Sequence, residues 1–417
     1  MSQYPASVAN TWSKNKAKTW KHACSNEDNC SESRRSAKSS DAKTVLVYMA
    51  GRNDLARAVE PDLNEMKEGS KQLGENENLL VFVRRYDGTQ PWLARIKNGV
   101  MTDSVSLSDM GITSSDGQNR ATDPVVMEGV MRYAINHYPA TNGNYGLVLW
   151  SHGSGWLMDN EVRRASSRAF GIDYGNYSYS NDGRCINIPT LTNILKDLPH
   201  LKYIMFDCCC MMCLENLYEL RSVTDYLIGS PAEIPGNGAP YDKIMTDLFG
   251  DGNFYTRIVD KYYKSVDGNL PMSVVKTSEM EQVAQATHKA LEAVKAELGN
   301  NYPDMTGLIH YYYTDTRFKF IPEYNIFFDA GDFFLKYAPQ DVYQQWKQAL
   351  DKAVIERRIA TSWCVDKNWR MNYSDFTVTE KKMHCVSMFV PQDPSLSNYA
   401  RYNEDIKQFE WYNVWPQ

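Results

Sequence analysis

No stretch of this 417-residue sequence approaches the roughly 20 apolar residues that a membrane-spanning helix needs. The longest apolar runs, such as Tyr145–Trp150 and Tyr203–Phe206, fall far short, so no membrane span is expected. An excess of basic charge is also missing. Forty-five Lys and Arg face 51 Asp and Glu, a net charge of −6, which leaves no global positive field to draw in nucleic acid or an anionic membrane. Cysteines are not spaced along the chain as a disulfide scaffold requires. The nine present form an odd, clustered set: Cys24 and Cys30, Cys185, Cys208, Cys209, Cys210 and Cys213, then Cys364 and Cys385. Residues 1–18 carry Lys14, Lys16 and Lys18 but no apolar core of roughly 7 to 15 residues, so they do not read as a secretion signal. Export would then require a segment upstream of this numbering. No internal repeat and no long linker appear.

What is present is globular in character. Hydrophobic residues at 43% and charged residues at 23% exclude disorder, collagen and coiled coil as whole-chain descriptions. At roughly 150 residues per domain, the length suits one large domain with insertions or two to three smaller ones. Residues 1–43 are rich in Ser, Lys, Asn and Asp and poor in aliphatic side chains, and read as a flexible leader or pro-segment. From Thr44 the text changes to Val45-Leu46-Val47-Tyr48-Met49, a continuous apolar run ended by Ala50-Gly51, as expected of a strand buried on both faces.

The same grammar recurs. Strands are expected at Leu79–Arg84, Tyr145–Trp150, Tyr203–Phe206, Tyr226–Gly229, Met272–Lys276 and Val386–Val390. Helices are expected after Arg52-Asn53-Asp54, at Pro124–Asn136 behind the cap Thr122-Asp123, and at Thr190–Leu198, Met212–Leu220, Tyr241–Phe249, Tyr255–Lys264, Glu279–Leu298 and Val342–Ile355. Alternation of fully apolar strands with helices implies βαβ units: a doubly wound α/β fold, its mostly parallel sheet covered by helices on both faces. Residues 44–252 would form the core, and 253–417 an extension of it or a smaller C-terminal subdomain.

In such sheets ligands bind outside the carboxyl ends of the strands, so Gly51–Asp54, Ser151–Gly155 and Asp207–Cys210 have the highest functional prior. At the second of these, an apolar strand delivers His152 into a Gly-Ser loop. At the third, the next strand delivers a cysteine cluster. A histidine beside a cysteine takes up the thiol proton and makes a nucleophile at neutral pH, and a glycine after the histidine leaves a backbone N–H accessible to an oxyanion. Three readings compete: a thiol enzyme, a non-enzymatic scaffold in which the cysteines are structural, and a metal or redox protein built on Cys208, Cys209, Cys210 and Cys213. A zinc site lacks a second well-spaced ligand pair. Asp207, two residues before Cys209, suits pairing with a guanidinium or ammonium, or equally a helix N-cap for the helix near Met211.

The blocks Ser151-His152-Gly153-Ser154-Gly155-Trp156 and Phe206-Asp207-Cys208-Cys209-Cys210-Met211 through Glu215 resemble the His and Cys motifs of the clostripain family of cysteine endopeptidases. Asp207, Cys209, Met211 and Glu215 match that Cys motif, while Cys208 and Cys210 depart from its usual Ala and Leu, and the register selects Cys209. Thr44–Leu55, Ser230–Tyr241 and Asp329–Phe333 resemble further family blocks in the right order. His152 and Cys209 are 57 residues apart, close to the roughly 50-residue separation in caspases.

The resemblance implies a caspase-like fold and an endopeptidase acting on protein or peptide substrates with Arg or Lys at P1. It implies Cys209 as nucleophile, His152 as its partner, the Gly153 and Cys209 N–H groups as the oxyanion hole, and Asp207 as the group meeting the basic side chain. No cofactor or metal is required; calcium dependence is left open. It further implies a bacterial protein, secreted or surface-anchored, made as a zymogen and self-processed between His152 and Cys209. The candidate cutting sites are Arg163, Arg164 and Arg168, in a polar stretch without strong periodicity, and a monomer, as two associated chains after cleavage, is expected.

Overall fold

Alternate residues of the first strand, β1 (Lys43–Gly51), part into two separate cores. Val45, Val47 and Met49 enter one, and Leu46, Tyr48 and Ala50 the other. This is the physical meaning of an unbroken apolar run: successive side chains point to opposite faces, and both faces are dry. The computed structural model describes residues 41–86, 89–114, 116–159, 169–176, 183–311, 326–366, 369–370, 376–396 and 399–416. All of these fall in one compact unit, Asp41–Gln417. Residues 1–40 of the expected leader, and Arg163, Arg164 and Arg168, lie outside the described residues.

The remaining elements follow in chain order: α1 (Ala56–Ser70), β2 (Glu77–Arg85), β3 (Trp92–Lys97), β4 (Val100–Ser106), α2 (Pro124–His137), β5 (Tyr145–Trp150), β6 (Phe170–Asp173), β7 (Arg184–Ile186), α3 (Ile188–Lys196), β8 (Leu201–Asp207), α4 (Leu214–Glu219), β9 (Thr224–Gly229), α5 (Tyr241–Leu248), α6 (Phe254–Ser265), β10 (Met272–Lys276), α7 (Met280–Leu298), β11 (Phe328–Asp329), α8 (Ala330–Tyr337), α9 (Gln340–Ala353) and β12 (Val354–Arg358). Nine strands form the main sheet in the order β12-β10-β9-β8-β5-β1-β2-β3-β4. The run from β9 to β2 is parallel, and β3, β4, β10 and β12 add antiparallel edges. Helices α1, α5 and α6 cover one face, through Leu63, Ile244 and Ile258 among others. Helices α2, α3, α4, α7 and α9 cover the other, through Val130, Leu191, Leu217, Leu291 and Trp346. From β1 the chain winds one way to β2, and from β5 the other way to β8 and β9, so the topological switch point lies between β1 and β5.

The edges differ from the sequence expectation. The expected helix Val342–Ile355 ends at Ala353, and Val354–Arg358 turns into β12, where Arg358 pairs with Asp260 on α6 at 2.6 Å. The β-branched Val354-Ile355 pair suits an edge strand better than a helix end. The β3–β4 hairpin was not anticipated either. Its two-residue turn is Asn98-Gly99, both at positive φ (51° and 81°), which is the dipeptide a primed hairpin turn selects.

Late segments lock the strand ends. The Asp329 carboxylate accepts N–H groups of Gly331 and Asp332 through one oxygen, and the Tyr311 hydroxyl with the His384 and Cys385 N–H groups through the other. The strand Ser387–Met388 then lies against α4 and the turn before it: Ser387 N–H donates to Met212 O at 3.0 Å, and Phe389 N–H to Glu215 Oε1 at 2.7 Å. Glu215 is fully buried, and burial pushes its carboxyl up to about 7. Because the folded-state value lies above the ordinary 4.5, folded protein holds a proton that the unfolded chain releases. That contribution to stability is complete below about pH 4.5 and is lost as pH rises through about 7. Glu215→Gln is therefore expected to show a shallower fall in unfolding free energy between these limits than the parent protein. Denaturant titrations across the window check it; an unchanged slope rejects it.

Candidate active site

Parallel pairing of β5 with β8 sets Trp150 opposite Asp207, so the residues that follow each strand emerge side by side. Ser151 N–H reaches Asp207 O at 3.4 Å. Gly153 then passes so close to the second loop that a Cβ on it would fall 2.6 Å from Cys209 O; only glycine fits. The Gly153–Phe170 bridge is carried by its neighbours, Gly171 N–H to His152 O and Ser154 N–H to Ala169 O, which leaves the Gly153 N–H outside it.

The cysteine cluster is sorted by burial. Cys208, Cys210 and Cys213 are fully buried and Cys209 alone of the four is partly exposed, packed where the two cores meet. Burial drives the thiols of Cys208, Cys210 and Cys213 well above the ordinary range, which keeps them neutral and inert. Cys210 turns left-handed (φ 61°) with its N–H on Ala232 O, swinging the chain sharply away after Cys209. Ile234 N–H donates to Cys209 Sγ at 3.3 Å, a contact that favours negative charge on sulfur. Among the described residues no group of three or more His, Cys, Asp or Glu could hold a metal ion.

Asp207 is buried beneath these loops. Its carboxylate accepts the Ala239 N–H and the hydroxyls of Tyr241 (2.8 Å) and Tyr262 (3.0 Å). It does not cap the following helix: α4 begins only at Leu214, with Cys213 in the cap position. A second buried carboxylate, Asp62 on α1, receives Trp150 Nε1 at 2.6 Å. A Cβ on Gly238 would sit 2.9 Å from Asp207 Oδ2 and 3.4 Å from Asp62 Oδ2, so the two acids flank one backbone position. Burial, and next the Asp207 charge, push Asp62 up to about 8; burial also raises Asp207, against its three donors. Among the described residues no Lys or Arg pairs with either acid.

The structure thus brings together His152, Gly153, Asp207 and Cys209. Two acids were not assigned a role from sequence. Asp62 is an ordinary-looking acid inside a helix, with no local signal. Asp54 lies in the loop after β1 that the fold class marks as functional, and its Oδ1 is 2.6 Å from His152 Nε2.

The same fold recurs in solved structures. A structure of a secreted cysteine protease from Bacteroides thetaiotaomicron, in complex with an irreversible peptide inhibitor, is 28% identical, covers 89% of this chain and 98% of its own, and superposes with a TM-score of 0.70. An inactive zymogen protease from Parabacteroides distasonis is 27% identical, with 91% and 100% coverage and a TM-score of 0.71. Clostripain from Hathewaya histolytica is 24% identical over 228 residues, 50% of this chain, and the match spans 42% of clostripain's own length. The fold is caspase-like, and the family model matches residues 47–416: the chain belongs to the clostripain family of cysteine peptidases.

Proposed function

We propose that this chain is a cysteine endopeptidase that cleaves after Arg or Lys. One observation carries the reading: the most exposed thiol of a buried cluster stands beside a histidine–glycine loop, above two buried acids without a basic partner among the described residues. In this reading His152 takes the Cys209 thiol proton, and the sulfur attacks the scissile carbonyl carbon. The Gly153 and Cys209 N–H groups hold the oxyanion. His152 then protonates the leaving amine, and water hydrolyses the thioester. Asp207 supplies the charge that a P1 guanidinium or ammonium would neutralise, and Asp62, its carboxyl pushed up to about 8, would release its proton when such a cation arrives beside it.

Self-processing fits the same site. The segment 160–168, with Arg163, Arg164 and Arg168, rejoins the described chain at Ala169, whose carbonyl is held by Ser154 N–H beside His152. A relative described as an inactive zymogen supports the reading, and one described as secreted supports an extracellular location. The two chains would stay together through the β5–β8 pairing and the shared cores.

Cys209→Ala is expected to abolish cleavage of an Arg- or Lys-containing peptide, and His152→Ala to lower it by at least roughly two to four orders of magnitude. Cys208→Ala and Cys210→Leu keep most activity. A peptide panel varied only at P1 reads this, and full activity in Cys209→Ala rejects the nucleophile.

Asp207→Asn is expected to depress cleavage after Arg and Lys far more than it lowers the melting temperature. A variant that melts early but keeps its basic preference places specificity elsewhere. On a denaturing gel, active protein is expected as two bands, cut after Arg163, Arg164 or Arg168, with Cys209→Ala remaining one chain. N-terminal sequencing of the larger band decides the position, and an active enzyme that stays intact excludes self-processing.

A further inference from the structure

The loop after β1 and the loop after β5 flank the switch point of the sheet, and a hydrogen bond between a carboxylate and an imidazole joins them. Asp54 Oδ1 stands 2.6 Å from His152 Nε2 across 98 residues of sequence. The preceding residue, Asn53, makes this contact a built one. Asn53 is fully buried, and its Nδ2 donates to Ala50 O (2.9 Å), to Ile172 O (2.8 Å) and to Ser151 Oγ (3.3 Å), the residue just before His152. Its Oδ1 accepts the Leu55 N–H at 2.8 Å, and its carbonyl the Ala56 N–H. Ser151 Oγ in turn donates to Ala50 O at 2.7 Å. One asparagine therefore fixes the backbone on both sides of Asp54 and, through Ser151, the entry to the histidine.

A neutral imidazole carries its single proton on one of two nitrogens, and the hydrogen bond made by one sets what the other offers. A carboxylate is an acceptor only, so its partner Nε2 must be the protonated one. We propose that Asp54 is the positioning residue for His152: it holds the ring with the proton on Nε2, leaves Nδ1 as the lone-pair nitrogen for the Cys209 thiol, and balances the imidazolium formed when that proton arrives. The inference rests on reading Cys209 and His152 as a nucleophile and base pair. Asp54 is 66% exposed and His152 19%, so water screens much of the charge effect, and orientation is the larger part. The expected loss is therefore smaller than for a fully buried third member, about 10- to 100-fold.

The experiment compares the full chain with Asp54→Asn and Asp54→Glu, using three readouts. With a Lys- or Arg-containing peptide, Asp54→Asn lowers kcat about 10- to 100-fold with little change in KM, and Asp54→Glu recovers part of it. The rate of Cys209 alkylation by iodoacetamide falls in parallel, which needs no peptidase activity. In the Cys209→Ala background, the ring-nitrogen NMR signals of His152 move from the Nε2-protonated form in the parent toward a mixture in Asp54→Asn. A parent that cleaves no peptide, yet whose alkylation rate and His152 signals respond to Asp54→Asn, rejects the endopeptidase reading and keeps this one. Unchanged alkylation and unchanged ring signals overturn it, as does a change confined to KM, which would make Asp54 a substrate contact.

Discussion

Parallel hydrogen bonding between β5 and β8, in register from Gly146 against Tyr203 to Trp150 against Asp207, is the constraint on which the site depends. The two strands end level, so the histidine loop and the cysteine loop leave the sheet at the same height and in contact. A slip of one residue would move every side chain of one strand to the opposite core. The cores prevent that slip: Val148 with Met205, and Leu149 with Phe206, are sorted to opposite faces and buried. Packing of aliphatic side chains thus sets the spacing of groups that bear the chemistry.

The electrostatics of the site follow from depth. Three of the four clustered thiols lie where a charge cannot be solvated, and only Cys209, with the Ile234 N–H aimed at its sulfur, has a route to a thiolate. Asp207 and Asp62 are buried as well, and the cost of placing a negative charge there raises both carboxyls, that of Asp62 to about 8. The tyrosines Tyr241 and Tyr262 partly offset it for Asp207, donating hydrogen bonds without supplying charge.

Segments remote in sequence hold the Cys loop in place. Beyond the nucleophile, Glu215 and Met212 receive N–H groups from Phe389 and Ser387, and Asp329 gathers five donors from the same neighbourhood. These carboxylates act as backbone acceptors inside the protein, a structural use of acids that sits a few residues from a chemical one.

Much of the fold was legible in the sequence, because apolar runs such as Val45–Met49 and Leu147–Trp150 can be buried in one way only, and the capped helix at Pro124 carries its own start signal in Asp123. The motif register through Asp207, Met211 and Glu215 is local in the same way and can be read without any tertiary contact. The antiparallel edges were less legible: β12 follows directly on a helical pattern with only the Val354-Ile355 pair to mark the change, and only the Asn98-Gly99 turn marked the β3–β4 hairpin. Acids were the least legible of all. Asp54, Asp62, Asp207 and Glu215 are one residue type or its near neighbour, yet one meets a histidine, two flank the backbone at Gly238 and one ties down a distant strand. Apolar periodicity is a local property that the sequence alone determined; a carboxylate's task depends on its depth and on a partner up to 174 residues away, and those are decided only when the sheet closes and the helices cover it.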